Sequence, residues 1–236
     1  FAGNVGLRYR WTDRISTKWN LISGMVNGSD NYSNSRRSAR NLSFRSIIIE
    51  SSLQVEFSIQ KEKTGRRYTF INTGKLRWEG VNTYLFTGIG GFYFNPQAKY
   101  IDNKWYDLQP LRTEGQGLPG AKESKPYSKI AACFPLGIGF KYGLTRKLNF
   151  GVEMGYRFTT TDFLDDVSDS YYDNEKIRIA NGANGDVAAY FADPKDNKVP
   201  GGQKWRGNPK SRDGYLFVLF NVSMKLRVAR NGLPRF

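Results

Sequence analysis

Hydrophobic and polar residues alternate with a period of two along much of this chain, most clearly from Lys129 to Thr159. In the first run there, Ile130, Ala132, Phe134, Leu136, Ile138, Phe140 and Tyr142 fall on one face. Ala131, Cys133, Pro135, Gly137, Gly139 and Lys141 fall on the other. After a very short turn, Leu148, Phe150, Val152, Met154, Tyr156 and Phe158 share a face opposite Asn149, Gly151, Glu153, Gly155 and Arg157. Alternation sustained this long is a strand signal. The runs exceed the ~5–6 residues usual for a soluble strand. They match the ~9–11 residues of a tilted strand crossing a bilayer. One face is wholly apolar and ends in aromatics, while the other mixes glycine with charge. That is the pattern of a strand apolar toward lipid and polar toward a lumen.

The same alternation predicts strands over Asn4–Trp11, Ile15–Met25, Ile47–Ile59, Asn82–Phe94 and Gly214–Arg227. Its polar face would place Arg8, Arg10, Lys18, Lys141 and Arg157 inside with Glu50, Glu56 and Glu153. An eight-stranded barrel is just wide enough for side chains to fill. Opposite charges in such a lumen pair and plug it, which argues against an open porin.

Seven strands are legible, whereas single-chain bacterial barrels have even counts. An unpaired edge in lipid is costly. The predicted fold is therefore one all-β domain over residues 1–236: a transmembrane antiparallel up-and-down β-barrel of eight strands, with one strand preceding Phe1. The turns at Thr12–Arg14 and Gly143–Arg146 are short, and both lie on one side. Asn27–Arg45, Asn95–Ser128 and Thr160–Asp213 are long, read as loops throughout, and lie on the other, external side. Lys61–Gly80 breaks the rule, being long yet on the side of the short turns.

Composition adds further constraints. Mean hydropathy is negative, and no run of some 18 apolar residues exists, so no transmembrane helix is expected; a barrel escapes that test. The net charge of +15 reads either as solubility of the loops and lumen or as attraction to an anionic surface such as lipopolysaccharide or an acidic protein. The basic residues are scattered among strands, which speaks against nucleic acid. Histidine is absent, which removes every mechanism needing an imidazole base or ligand. The single cysteine, Cys133, permits no disulfide within the chain. Phe1-Ala2-Gly3 reads as the interior of a mature protein rather than a signal peptide.

Candidate chemistry is sparse. Gly88-Ile89-Gly90-Gly91 lacks the spacing and following helix of a phosphate loop and reads as close strand packing. Lys63-Thr64-Gly65 has no nucleophile motif to accompany it. Asp162, Asp165, Asp166, Asp169, Asp173 and Glu175 have no calcium-loop spacing and read as a solvated acidic loop. Glu56 and Glu153 face basic side chains and read as structural pairs. No metal or cofactor site is expected. The basic connection supplies Arg66, Arg67, Tyr68, Lys75, Arg77 and Trp78, and the tail supplies Arg230 and Arg235 by strand parity on the same side. Aromatics and arginines dominate interfaces, so these residues are the expected partner-binding face.

Six stretches resemble a known family. They are RNLSFRS (Arg40–Ser46), GIGGFYFNPQAKY (Gly88–Tyr100), KWYDLQPLRTEGQGL (Lys104–Leu118), GFKYGLTRKLNFGVEMGYR (Gly139–Arg157), TDFLDDVSDSYYDN (Thr161–Asn174) and RGNPKSRDGYLF (Arg206–Phe217). Together they resemble the PorG-like outer-membrane β-barrel family of the type IX secretion and gliding machinery. The resemblance implies a non-enzymatic, integral outer-membrane component of a protein secretion apparatus. It also implies, as partners, a periplasmic ring lipoprotein and that lipoprotein's partner subunit. The tail departs from the family's usual barrel ending, because Phe236 follows Pro234 beyond the last strand. Two other readings stay open: a scaffold or adhesin acting through external loops, and a soluble lipocalin-like binder. The latter requires the bulky apolar face inside.

Overall fold

The computed structural model describes residues 2–30, 42–60, 81–144, 148–194, 205–208 and 211–226. Seven strands form one meander: β1 (Ala2–Arg10), β2 (Ile15–Ser29), β3 (Ser43–Ser58), β4 (Val81–Lys99), β6 (Ile130–Gly143), β7 (Leu148–Thr159) and β8 (Gly214–Met224). Each is antiparallel to the next. A short strand, β5 (Trp105–Asp107), pairs with the far end of β4, off this path. Seven alternating strands leave β1 and β8 running in the same direction. The sheet curls until these two approach each other, and among the described residues no ladder joins them.

Facing follows the alternation. Val5, Leu53, Leu136, Phe140, Phe150, Met154, Phe220 and Met224 are all exposed, Phe220 to 70 %. Their sequence neighbours Glu50, Ser52, Gln54, Glu56, Glu153 and Arg157 are buried. The bulky apolar face is thus outside and the charges are inside, the reverse of what a lipocalin-like binder needs. Among the described residues no helix is long and apolar enough to cross a membrane; the strands supply the apolar surface. Met154 lies mid-strand on that surface, 48 % exposed. Met154→Arg is expected to cost about 2–4 kcal/mol, the range for arginine at the bilayer midplane. Urea unfolding in lipid vesicles reads this, and an unchanged midpoint would place the apolar face elsewhere.

At their external ends β2, β3 and β4 run further than the alternation suggested, whereas β8 stops at Met224, short of the expected Arg227. β2 and β3 stay paired out to Ser29 and Ser43, which shortens the expected Asn27–Arg45 loop. β4 continues through Asn95, Pro96 and Gln97 to Lys99. The reason is physical: apolar alternation ends where lipid ends, but backbone pairing does not. The last turns of these strands rise out of the apolar band with polar outer residues.

Glycines make room inside. Gly139 and Gly155 sit against the Tyr84 and Phe86 rings, and a Cβ on Gly155 would lie 2.7 Å from Phe86 Cζ. The Gly88–Gly91 run lies inside β4, where a Cβ on Gly88 would meet the Leu53 carbonyl oxygen and one on Gly90 would lie 2.7 Å from Ser52 Cβ; this is close strand packing, as expected, and not a phosphate loop.

Candidate functional site

Two layers of ion pairs cross the lumen. In the layer nearer the short turns, Arg8 of β1 pairs with Glu56 of β3. Lys18 of β2 donates to Glu153 Oε1 of β7 at 2.5 Å. The Tyr84 hydroxyl of β4 donates to the same oxygen at 2.6 Å, and Asn221 of β8 reaches it at 3.4 Å. Arg8 and Lys141 both lie over the Tyr84 ring, 5.0 and 4.9 Å from its centroid. In the second layer, Arg157 of β7 donates to Glu50 Oε2 of β3 at 3.1 Å. Tyr215 of β8 donates to that oxygen at 3.0 Å, and Ser52 donates to Glu50 Oε1 at 2.8 Å. Each of these three carboxylates meets a cation from another strand, as buried charge requires, although Glu56 Oε1 has no hydrogen-bond partner among the described residues.

Two of the expected lumen residues behave differently. Arg10 pairs with Asp13 in the first turn at 2.8 Å, at the point where β1 ends. Among the described residues Lys141 has no carboxylate partner and rests on the Tyr84 ring instead. The remaining six, Arg8, Lys18, Glu50, Glu56, Glu153 and Arg157, form the pairs above.

Above the ion pairs the lumen turns apolar. Ile22, Ile48, Phe92, Phe94 and Phe217 pack together from the strands, and Leu164 of the last external connection is buried among them. Tyr127 stacks on Phe163 with centroids 4.5 Å apart, and on Phe94 at 6.1 Å. The external loops therefore cork the barrel mouth with an aromatic stack.

The long external connections, expected to be loops, fold together into a cap. It contains β5, a short 3-10 turn at Gln109–Leu111, and two helices, α1 (Asn174–Asn181) and α2 (Gly185–Ala192). The Asp173 carboxylate caps α1 by accepting from the Glu175 and Lys176 amides at 3.1 and 3.3 Å. Ile177, Ala188 and Phe191 bury against Ala98, Leu108 and Leu111. Tyr100 meets Tyr106, Tyr190 and Phe191 edge-on.

Arg206 is the polar centre of this cap. It is buried and pairs with Glu114 at 3.1 Å. It also donates to the carbonyls of Asp166 at 2.6 Å and Phe191 at 3.1 Å. Glu114 in turn accepts from the Ser168 and Asp169 amides. The Asp166 carboxylate accepts from the Thr113 hydroxyl at 2.5 Å and the Tyr127 hydroxyl at 2.7 Å, which ties the cork to the cap.

The acidic segment is thus not a solvated loop. Asp166 and Asp169 are buried, and their oxygens serve as acceptors within the fold. No metal-holding group of acidic or sulfur ligands occurs among the described residues. Burial pushes the Asp166 carboxyl up to about 7, against the pull of Arg206 and the two hydroxyl donors. Asp165 is raised by burial and then by Asp213, and Asp213 by burial. A carboxyl raised on folding contributes fully below its unfolded value of about 4. That contribution is lost as pH rises through the folded value, here about 7 for Asp166. Hydrogen exchange over residues 160–194, corrected for intrinsic rates, should show a tighter cap at pH 5 than at pH 8. Asp166→Asn should flatten this difference; an identical pH response in that variant would locate the linkage elsewhere.

The expected partner-binding residues Arg66, Arg67, Tyr68, Lys75, Arg77, Trp78, Arg230 and Arg235 lie outside the described residues.

No protein-family model matches the chain, and no curated protein matches its sequence. Among solved structures, the crystal structure of CarO from Acinetobacter baumannii is similar at 12 % identity and a TM-score of 0.28. The match covers 67 % of this chain and 71 % of that one. An overlap this low carries no weight beside the strand order and facing described above.

Proposed function

We propose that this chain is an integral outer-membrane β-barrel that works as a scaffold rather than a conduit or an enzyme. The observation that carries this reading is the filled lumen: two layers of paired charge under an aromatic cork. A barrel so filled has surfaces to offer, at its two ends and around its wall, but no passage.

The job we assign it is that of an outer-membrane component of the type IX protein secretion system, bound to the periplasmic ring lipoprotein and its partner subunit. What supports this finer reading is the resemblance of the six stretches quoted above. In this reading the turn-side segment with Arg66, Arg67, Lys75 and Arg77 docks an acidic or mixed surface of the ring, and the external cap takes no part in docking. Rim charges mainly tune encounter.

The test is affinity purification of the tagged chain from solubilised outer membranes, alongside cargo export in a strain lacking it. Co-purification of the ring lipoprotein and loss of export are expected. Arg66→Glu with Arg67→Glu should weaken co-purification, most at low salt, while the barrel stays folded. Intact export and no ring subunit in the eluate would leave a scaffold or adhesin without a secretion role.

A further inference from the structure

Beyond the apolar band, the outer face of β3, β4 and β5 changes character. Ile47, Ile49 and Tyr93 are exposed on the lipid-facing side. The next outward positions toward the external end are Arg45 on β3 and Asn95, Gln97 and Lys99 on β4. β5 adds Trp105 opposite Lys99 and Asp107 opposite Gln97.

These side chains form a connected belt. The Arg45 guanidinium lies 3.6 Å from the centroid of the Trp105 ring, and its Nε donates to Gln97 Oε1 at 3.0 Å. The Gln97 and Asn95 amides donate to Asp107 Oδ1 at 2.7 and 2.9 Å. Lys129 Nζ donates to Asn95 Oδ1 at 2.7 Å. Lys99 and Lys104 are exposed beside Trp105. Four cations, Arg45, Lys99, Lys104 and Lys129, thus share a patch with two carboxylates, Asp102 and Asp107.

We propose that this belt binds the phosphate headgroup of an anionic glycolipid in the outer leaflet. Three features carry the assignment. First, the patch is continuous with the apolar band, so a phosphate held here would lay its acyl chains on Ile47, Ile49 and Tyr93. A peptide or nucleic acid has no use for that continuity. Second, Arg45 is held in place by the indole face and by Gln97, and among the described residues its two terminal amino groups are left as donors. A fixed guanidinium fork is the group that suits phosphate oxygens. Third, Trp105 is 41 % exposed just beyond the apolar band, where amphipathic rings settle at headgroup level. The Asp107 charge is met by the two side-chain amides and does not face the phosphate unscreened.

This inference rests on the membrane reading of the outer face, and one experiment separates the two. The full chain is reconstituted into phosphatidylcholine vesicles carrying either bisphosphorylated lipid A or its phosphate-free form. Flotation is scored, and the glycolipid retained per protein after mild detergent extraction is measured by native mass spectrometry. Wild type should float with both and retain the bisphosphorylated form selectively. Each basic residue near a charged membrane surface is worth about 1 kcal/mol, roughly a fivefold effect. Arg45→Gln and Lys104→Gln should each lower retention about fivefold. Arg14→Gln, an equal charge change at the opposite rim, should leave it unchanged. Lys104 is exposed and its replacement leaves the fold alone. Equal retention of the two glycolipids, or an equal loss with Arg14→Gln, overturns the phosphate belt. Failure to float with either composition overturns the membrane reading itself.

Discussion

Replacing Arg157 by alanine is expected to destabilise the barrel by about 3–5 kcal/mol, the usual cost of stranding one partner of a buried ion pair. Glu50 would keep its hydroxyl donors Tyr215 and Ser52 but lose its only cation among the described residues, in a fully buried position. The measurement is the denaturant midpoint of the folded band on unheated gels. A second variant separates charge from packing. Arg157→Leu combined with Glu50→Leu removes both charges and fills the space, and should recover most of the loss. Equal destabilisation in the single and double variants would mean that shape, not pairing, is what the site requires. The same proteins in planar bilayers give a further reading: the wild type should show no stable single-channel steps, and regular steps would contradict a filled lumen.

Arg206→Met is expected to cost a similar about 3–5 kcal/mol, but to spend it on the cap alone. The guanidinium ties three segments together from one buried point: Glu114, the Asp166 carbonyl and the Phe191 carbonyl. Without it the α1–α2 unit should open locally while the strands hold. Cleavage of an opened segment tracks the population of the open form when reclosing is fast. Trypsin attack at exposed Lys122 and Arg178 should therefore speed up at least about a hundredfold, with the heat-resistant barrel band unchanged. Joint loss of cap and barrel would show that the cork is needed for the wall to stand. Unchanged trypsin sensitivity would mean that the apolar contacts of Ile177 and Phe191 suffice.

What the sequence made legible divides along the membrane. Within lipid, each residue has one of two environments, so alternation is enforced and the inward facing of Arg8, Lys18, Glu50, Glu56, Glu153 and Arg157 could be read directly. Their partners could not. Which cation meets which carboxylate depends on strand tilt and on how far the sheet curls, and Arg10 pairs with Asp13 at the point where β1 ends. Outside lipid the constraint lapses. α1 and α2 are eight residues each, too short for a helical period to stand out from a polar background. Asp173 followed by Glu175 and, later, Arg178 did carry a helix-start and helix-end signal. The burial of Arg206, set between Trp205 and Gly207 in a stretch of lysine, asparagine and glycine, left no mark in the pattern at all. The partner-binding segments stand as the chain's charge pattern alone.

The lumen pairs also set an order of events. Lys18 and Glu153 are 135 residues apart, Glu50 and Arg157 107, and Glu50 and Tyr215 165. Hairpins such as β6–β7 close over a few residues and can form early, whereas contacts this distant must first meet the entropy of closing very long loops. Until the sheet curls, its inner face is an open row of uncompensated charge that a bilayer will not accept. Curling and charge compensation must therefore complete together. The filled lumen that denies this barrel a passage also makes its last folding step an all-or-none commitment.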